Sequence, residues 1–175
     1  MCIRDRRTAI DGRVVNAGAK LYRMFNNKHL KPLAGNVVGE DSVCLLVRTC
    51  QSNVHVAQAA RTRASLDTQP LAVQRRVIEE PGYIGQELEI DVKQGGTLVL
   101  EKLASFYTSR DQAISECALE ARKAIARVGR FDAVMADHVL AWSQLWHRFD
   151  MQIQPAGPGF KLNLPMLLRL SLIHI

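Results

Sequence analysis

The sequence predicts a mainly β fold that gives way to α-helices, with the change of pattern near Tyr107. From 84 to 92, apolar and polar residues alternate with the period of a half-buried strand. After Ser109 the apolar residues recur at helical spacing instead. Short strands separated by regular turn signals favour part of an antiparallel β-sandwich over a β-α-β fold.

Strands are predicted throughout the first part of the chain, at 29–38, Ser42–Thr49, 54–63, 71–79, 84–92 and 97–107. A turn at 50–53 joins two of these strands into an antiparallel pair, and Pro81-Gly82 closes the strand at 71–79. Glycines in the turn at 93–96 allow a positive φ, so 84–92 and 97–107 are predicted to form a hairpin.

The first helix is predicted from a capping box, in which Ser109 accepts a backbone hydrogen bond and Gln112 reaches back. Asp111 favours the positive end of the same helix. Gly129 is expected to end the helix in the left-handed conformation. The apolar stripe of this helix comprises Ile114, Cys117, Ala118, Ala121, Ile125 and Val128.

A second helix is predicted with Asp132 as its N-cap. Its apolar stripe comprises Met135, Val139, Trp142, Leu145, Trp146 and Phe149. The short turn at Gly129 predicts that the two helices pack antiparallel. Asn163, with Pro165 just inside, is expected to open a third helix.

Charge and composition exclude several classes of partner. The chain has 23 basic and 17 acidic residues, a net charge of +6, and the basic residues are scattered, so no nucleic-acid binding is expected. No apolar run approaches the length of a membrane span, so no membrane partner is expected either. Cys44, Cys50 and Cys117 lack close spacing, which favours a reducing compartment, the cytoplasm, over a disulfide framework.

Few polar residues form a pattern typical of a chemical site. Cys44, Cys50 and His55 could be metal ligands, but no fourth ligand is nearby and ordinary sheet packing is favoured. One strand face could hold a sugar or a cation or be simply solvated; it comprises Glu87, Glu89 and Asp91. We therefore expect no catalytic residue, no metal and no cofactor in this chain.

Two segments resemble glycoside hydrolase family 65. One begins at Leu100-Glu101-Lys102 and ends at 106–111, and it is similar to the family's "LEK…YTSRD" pattern. The other runs from Phe131-Asp132 through Asp150 and is similar to "FD…H..AW..LW..FDI", with Met151 in place of the final isoleucine. The order and spacing of these motifs carry the resemblance.

The resemblance implies a domain organisation. Residues 7–108 would be the C-terminal part of an N-terminal β-sandwich, a galactose-mutarotase-like super-sandwich. Residues 109–150 would be a helical linker. Residues 151–169 would be a loop and the start of an (α/α)6 catalytic barrel that is otherwise missing.

The resemblance also implies an activity for the parent protein. Members of the family are mostly inverting phosphorylases of α-linked glucose disaccharides (trehalose, maltose, kojibiose or nigerose), with inorganic phosphate as co-substrate, and some are hydrolases. The catalytic glutamate would lie on the barrel beyond residue 169, and the parent would be a homodimer. The alternative is a non-catalytic carbohydrate-binding or interaction β domain with a helical hairpin.

Two groups of residues are candidate structural parts of the linker. Ser109, with Arg110 and Asp111, would cap the first helix or contact the sugar-binding rim of the barrel. A second group would anchor the linker between sandwich and barrel, or complete a local core of the helix pair; it comprises Trp142, Trp146 and Phe149.

Both ends of the chain are compatible with a foreign origin. Codons for residues 1–6 and 170–175 can be written as reverse complements that match the mosaic-end adapter of transposon-based sequencing libraries. We therefore expect both segments to be adapter artefacts. The remaining residues would be an inactive fragment of a longer enzyme.

Overall fold

The computed structural model describes residues 2–15 and 28–149. The chain divides into two compact units, Met1–Arg130 and Phe131–Ile175. The described part of the first unit contains eight strands and one helix: β1 (Cys2–Asp11), β2 (Leu30–Val37), β3 (Ser42–Thr49), β4 (His55–Leu66), β5 (Gln69–Leu71), β6 (Gln74–Glu80), β7 (Tyr83–Val92), β8 (Leu98–Thr108) and α1 (Cys117–Arg127). In the second, α2 (Phe131–Phe149) is described.

The strands form two antiparallel sheets. The smaller has three strands in the order β1-β7-β6, and the larger has five, with β2-β3-β4-β5 in order and β8 on the other side of β4. The predicted mainly β fold with helices at its C-terminal end is thus confirmed. The adapter assignment stays a prediction, although the backbone of residues 2–6 lies in β1 and pairs with β7.

Apolar residues between the two sheets form the centre of the sandwich. They are Ile10 of β1, Val43, Leu45 and Val47 of β3, Ala60 of β4 and Ile84 of β7. Leu88 and Ile90 of β7 extend this layer towards Ala64. Complete burial of one such aliphatic side chain contributes about 1.5–3 kcal/mol.

A third layer is formed by α1 on the other face of the larger sheet. Its stripe of Cys117, Ala118, Ala121 and Ile125 is buried against Cys44 of β3 and Ala57 and Ala59 of β4. The small side chains on both surfaces let the helix approach the sheet closely. The predicted helical stripe is confirmed from Cys117 to Ile125, whereas Ile114 and Val128 lie outside the helix and pack at the edges of this cluster.

The predicted hairpin between 84–92 and 97–107 is wrong. β7 pairs with β1 and β6 in the smaller sheet, whereas β8 pairs with β4 in the larger one. The turn at 93–96 therefore crosses from one sheet to the other. Asp67, at the end of β4, draws β8 to that sheet, because its carboxylate accepts the Thr97 N–H at 2.7 Å and its own N–H bonds the Thr97 carbonyl at 3.0 Å.

The other strand predictions fare better. β3 has the predicted bounds, and β3 and β4 form the predicted antiparallel pair. The strand predicted at 29–38 is β2, and the turn before β7 has Gly82 at φ 78°. The strand predicted at 71–79 is divided, since β5 ends at Leu71 and β6 begins at Gln74.

Two predictions about the ends of α1 are wrong. The helix begins at Cys117, and its N-cap Glu116 makes no side-chain capping bond, so the box at Ser109 does not start it. Ala113 has φ 61°, which is incompatible with a helix running through it from Ser109. At the other end Val128 is the C-cap in an extended conformation, and Gly129 is not among the residues with positive φ.

The second helix is confirmed as α2, but it begins at Phe131, so Asp132 lies inside its first turn and is not the predicted N-cap. None of the helices in the described part of the chain is both long and apolar enough to cross a bilayer. The third helix predicted at Asn163 and Pro165 lies outside the described residues, as does the predicted start of the barrel at 151–169.

Candidate functional site

The segment 109–111 forms a polar turn at the end of β8. Ser109 continues the ladder with β4, since its N–H donates to the His55 carbonyl at 2.9 Å and its Oγ accepts the His55 N–H at 3.1 Å. The Asp111 carboxylate accepts the Thr108 N–H at 2.8 Å and its hydroxyl at 3.1 Å. Because Ser109 Oγ is used by β4, it is not available as a helix cap.

The aromatic residues of α2 form a row along the helix. The rings of Trp142 and Trp146 stack with centroids 6.0 Å apart, and His138 meets Trp142 edge-on at 6.0 Å. His147 Nδ1 lies 2.9 Å from the Ser143 carbonyl. The Phe149 side chain lies outside the described residues, so its predicted anchoring role stays a prediction together with that of Trp142 and Trp146.

A polar cleft opens between the sheets beside the start of β3, where β5 replaces β3 as the neighbour of β4. Its volume is about 550 Å³, and its lining includes Glu40, Asp41, Arg63, Arg75 and Gln86. An apolar wall is formed by β5, the loop after it and Val77 of β6. A cavity of this size is within the range of small-molecule sites in proteins.

Polar side chains of this cleft donate hydrogen bonds to backbone carbonyl groups that are left without a strand partner where the sheet is interrupted. Arg75 reaches from β6 and donates to the Thr62 carbonyl at 2.8 Å and to Gln86 Oε1 at 2.9 Å. Gln86, which is buried, donates to the Glu40 carbonyl at 3.0 Å. Burial lowers the pKa of Arg75, and the negative charges of Asp41 and Glu40 offset only part of this effect.

Asp41 organises the turn beside the cleft. Its carboxylate accepts from Arg61 Nε at 2.7 Å and from Ser42 Oγ at 2.8 Å, and its carbonyl accepts the Thr62 N–H. Burial raises the pKa of Asp41, but the hydrogen bonds from Arg61 and Ser42 outweigh this effect, so the pKa lies below its ordinary value.

A second charged cluster lies at the end of α1. Arg63 of β4 donates to the carbonyls of Val128 and Gly129, at 3.1 and 2.7 Å, and to the Glu101 carboxylate at 3.1 Å. Arg130 approaches the same carboxylate at 3.3 Å. An arginine on the sheet thus caps the last carbonyls of the helix, where positive charge is favourable.

The acidic face of β7 is only in part a free surface. Glu87 lies between Arg7 of β1 and Arg76 of β6 and forms ion pairs with both. Hydrogen bonds from Arg7 and Arg76 lower the pKa of Glu87. A carboxylate already shared by two guanidinium groups is poorly placed to bind a cation, which favours the solvated interpretation of this face.

The metal interpretation of Cys44, Cys50 and His55 gains no support. Cys44 is buried against α1, and Cys50 Sγ lies 3.5 Å from the Lys28 carbonyl. Burial raises the pKa of the Cys44 thiol, which opposes the thiolate that a metal requires. Among residues 2–15 and 28–149, no group of three or more His, Cys, Asp or Glu is arranged to hold a metal ion.

Sequence reasoning placed some of these residues and missed others. Gln86 falls on the buried face of the predicted strand 84–92, and a polar residue there signals an internal hydrogen-bond partner. Arg63 and Arg75 carry no such signal, since arginine in a strand is usually solvated. Their partners, backbone carbonyls on other elements, depend on the tertiary fold.

Comparisons with known proteins agree on one family. The model of the glycosyl hydrolase family 65 N-terminal domain matches residues 6–145. Uncharacterized glycosyl hydrolases of two Mycobacterium tuberculosis strains are 33% identical over 171 residues, 98% of this chain but 12% of each relative. A kojibiose phosphorylase of Halothermothrix orenii is 22% identical over 163 residues, 88% of this chain and 20% of that enzyme. The chain thus spans a small part of each relative's length.

Proposed function

The chain belongs to glycosyl hydrolase family 65, and on that premise we propose that it is the sandwich and linker of an inverting disaccharide phosphorylase or glycosidase. The observation that carries the proposal is the match of residues 6–145 to the family's N-terminal domain. The similarity to a kojibiose phosphorylase favours α-linked glucose disaccharides as substrates and inorganic phosphate as co-substrate. Trehalose, maltose, kojibiose and nigerose are the candidates.

The proposed reaction accounts for a sandwich without catalytic groups. In inverting phosphorolysis, a carboxylic acid protonates the departing glycosidic oxygen while phosphate attacks the anomeric carbon from the opposite face. The products are β-glucose 1-phosphate and the released sugar. The acid and the phosphate pocket would lie on an (α/α)6 barrel beyond residue 169, so residues 1–175 alone would be inactive.

The proposed role of this chain is to hold the barrel in place through its linker. Ser109, Arg110 and Asp111 would fix the path of the chain as it leaves β8, supported by the bonds that Ser109 and Asp111 make there. Trp142 and Trp146 would anchor α2 to the barrel, since they form a continuous stacked surface. The free thiols of Cys44, Cys50 and Cys117 support a reducing compartment, the cytoplasm.

A second candidate function is carbohydrate binding without catalysis. The polar cleft favours it, since a volume of about 550 Å³ would admit a sugar. None of the described residues that line the cleft is an aromatic residue on which a sugar ring could stack. Its arginine and glutamine groups are already engaged by backbone carbonyls. We therefore place this function second.

Genomic sequence that spans this chain tests the proposal directly. We expect the reading frame to continue past Arg169 into a helical barrel that contains a catalytic glutamate. The encoded protein, incubated with each of the four disaccharides, should release glucose 1-phosphate when phosphate is present, or glucose alone if it is a hydrolase. A stop or an unrelated domain after Arg169 would favour the second candidate. Release of glucose 1-phosphate by residues 1–175 alone would contradict the placement of the catalytic acid on the barrel.

A further inference from the structure

Three basic residues lie side by side across the larger sheet, and we call them the basic row: Lys31, Arg48 and His55. Lys31 of β2 is directly opposite Arg48 of β3, which is directly opposite His55 of β4. Residues directly opposite one another in antiparallel strands point to the same face of the sheet. Since neighbouring strands lie about 4.8 Å apart, the three side chains start within about 10 Å of one another.

Arg48 is the exceptional member of the basic row. Its Nε atom is buried, and none of the groups in the described part of the chain bonds it. The two other arginines in the described strands of the larger sheet have carboxylate acceptors. Arg61 Nε donates to Asp41, and Arg63 donates to Glu101. A buried donor without a protein acceptor usually indicates a bound water or ion.

A guanidinium group selects a particular kind of ion. Its Nε–H and one terminal N–H are parallel and match two oxygens of a carboxylate, a phosphate or a sulfate. Because Nε of Arg48 is unbonded among the described residues, this side of the group is available to such an oxyanion. A water molecule would satisfy the N–H alone, but it would not balance the charge of Arg48.

The neighbours of Arg48 add positive charge and hydrogen-bond donors. Lys31 and His55 are exposed, whereas Arg48 is half-buried. Lys31 and Arg48 are both charged at neutral pH, and like charges directly opposite one another destabilise a sheet. An anion bound between them replaces this repulsion by two attractions. His55 supplies a further N–H donor on the other side of Arg48.

No acidic residue in the described part of the chain forms an ion pair with the basic row. The two acids that follow β8 before α1 are bonded elsewhere. Asp111 accepts the N–H and the hydroxyl of Thr108, at 2.8 and 3.1 Å. Glu116 lies 3.8 Å from Arg122. The basic row therefore keeps a positive charge that no described carboxylate neutralises by direct contact.

We propose that the basic row is a binding site for a phosphate group, either free or carried by a small ester. Arg48 donates from Nε and one terminal nitrogen to two of the oxygens, and Lys31 and His55 contact the group from either side. Three donors on three adjacent strands match the three outer oxygens of a phosphoryl group better than the two of a carboxylate. The site is independent of the activity proposed above, since it uses none of the linker residues.

Nuclear magnetic resonance of the nitrogen-15-labelled 175-residue chain tests the site directly. Inorganic phosphate is titrated to about 50 mM at an ionic strength held constant with sodium chloride, which keeps electrostatic screening the same. We expect saturable shifts of the Arg48 Nε–H and of the amides of the basic row, half complete at about 1–10 mM. A parallel titration with glucose 1-phosphate identifies the source, because tighter binding would assign the site to a phosphate ester. Shifts that stay linear with both ligands would overturn the proposal.

Variants that remove one charge locate the site. Arg48→Gln should weaken phosphate binding about tenfold or more, since a charge-assisted bidentate contact is lost. Lys31→Gln, at an exposed position, should weaken it about threefold or more, and it serves as the test if Arg48→Gln does not fold. Lys93→Gln removes the same charge from an exposed turn and should bind as the wild type does. Wild-type affinity in Lys31→Gln and in folded Arg48→Gln would place the phosphate elsewhere and rule out this site.

Discussion

The two described helices carry similar apolar stripes but have different surroundings. On α1, Cys117, Ala118, Ala121 and Ile125 are buried against the larger sheet. On α2, most of the large apolar residues are exposed, from 37% at Val134 to 58% at Leu140, and Trp146 is partly buried. The stripe of α1 is made largely of small residues that match Ala57 and Ala59, whereas that of α2 is made of bulky ones.

The difference shows that helical periodicity identifies an interface without identifying its partner. α1 completes the sandwich, because the sheet offers a complementary face of small side chains. A row of exposed bulky residues on one helix usually marks a surface that another element covers. This fits the proposed role of α2 as the linker to a barrel. Matched substitutions in the two helices therefore test the difference in packing between them.

The largest expected effect is at the buried helix. Ile125, at 1% exposure, packs against the sheet, so Ile125→Ala should lower the free energy of unfolding by about 2–5 kcal/mol. The matched change Leu140→Ala on α2 should alter it by no more than about 0.5 kcal/mol. Urea denaturation followed by circular dichroism at 222 nm measures both. Equal losses would mean that α2 is as firmly packed as α1.

The same contrast shows which features could be predicted from sequence. Period-two alternation located β7, and short runs bounded by turn signals located β3 and β4, because one or both faces of each strand are buried. Helical spacing located the stripe of α1 for the same reason. Pairing across a turn was predicted correctly for β3 and β4 but not for β7 and β8, because Asp67 holds the start of β8 beside β4.

Local capping signals failed where a tertiary partner competed for the same group. Ser109 has the residue type of a helix cap, but the open end of β4 engages its hydroxyl through the His55 N–H. Gly129 has the residue type of a left-handed C-cap, but Arg63 satisfies its carbonyl instead. In both cases the competing group lies far away in sequence, where no local motif includes it.

A smaller effect is expected on acidification, and it separates the sandwich from α2. The pKa of Asp41 is lower in the fold than in the unfolded chain, so this residue stabilises the fold above its unfolded pKa of about 3.9. That contribution is lost as the pH falls through the lower, folded pKa. The Asp41→Asn variant should therefore be less stable than the wild type near neutral pH, and it should lose less stability than the wild type on acidification.

Urea denaturation of wild type and Asp41→Asn at a series of pH values from neutral to acid tests this linkage. Asp132→Asn, in the first turn of α2, is the matched aspartate control outside the sandwich. If Asp41→Asn showed the same acid dependence as wild type, the carboxylate held by Arg61 and Ser42 would not be linked to folding.

The smallest effect in the isolated chain is expected at the aromatic row of α2. The protein has two tryptophans, Trp142 and Trp146, so tryptophan emission reports on this helix alone. Trp142 is 43% exposed, and its emission should be readily quenched by acrylamide. Trp146→Ala removes one stacked pair and should cost about 1 kcal/mol or less in the 175-residue chain.

In the longer enzyme that we propose, the same substitution should have a larger effect, because the barrel would bury the aromatic row. A loss of about 3–5 kcal/mol and a change of domain orientation in small-angle scattering are expected there. Leu140→Ala in the same protein separates loss at this row from general weakening of α2. If Trp146→Ala left both stability and orientation unchanged in the longer enzyme, the aromatic row would stabilise α2 alone. The exposure that distinguishes α2 from α1 would then not indicate a contact between the domains.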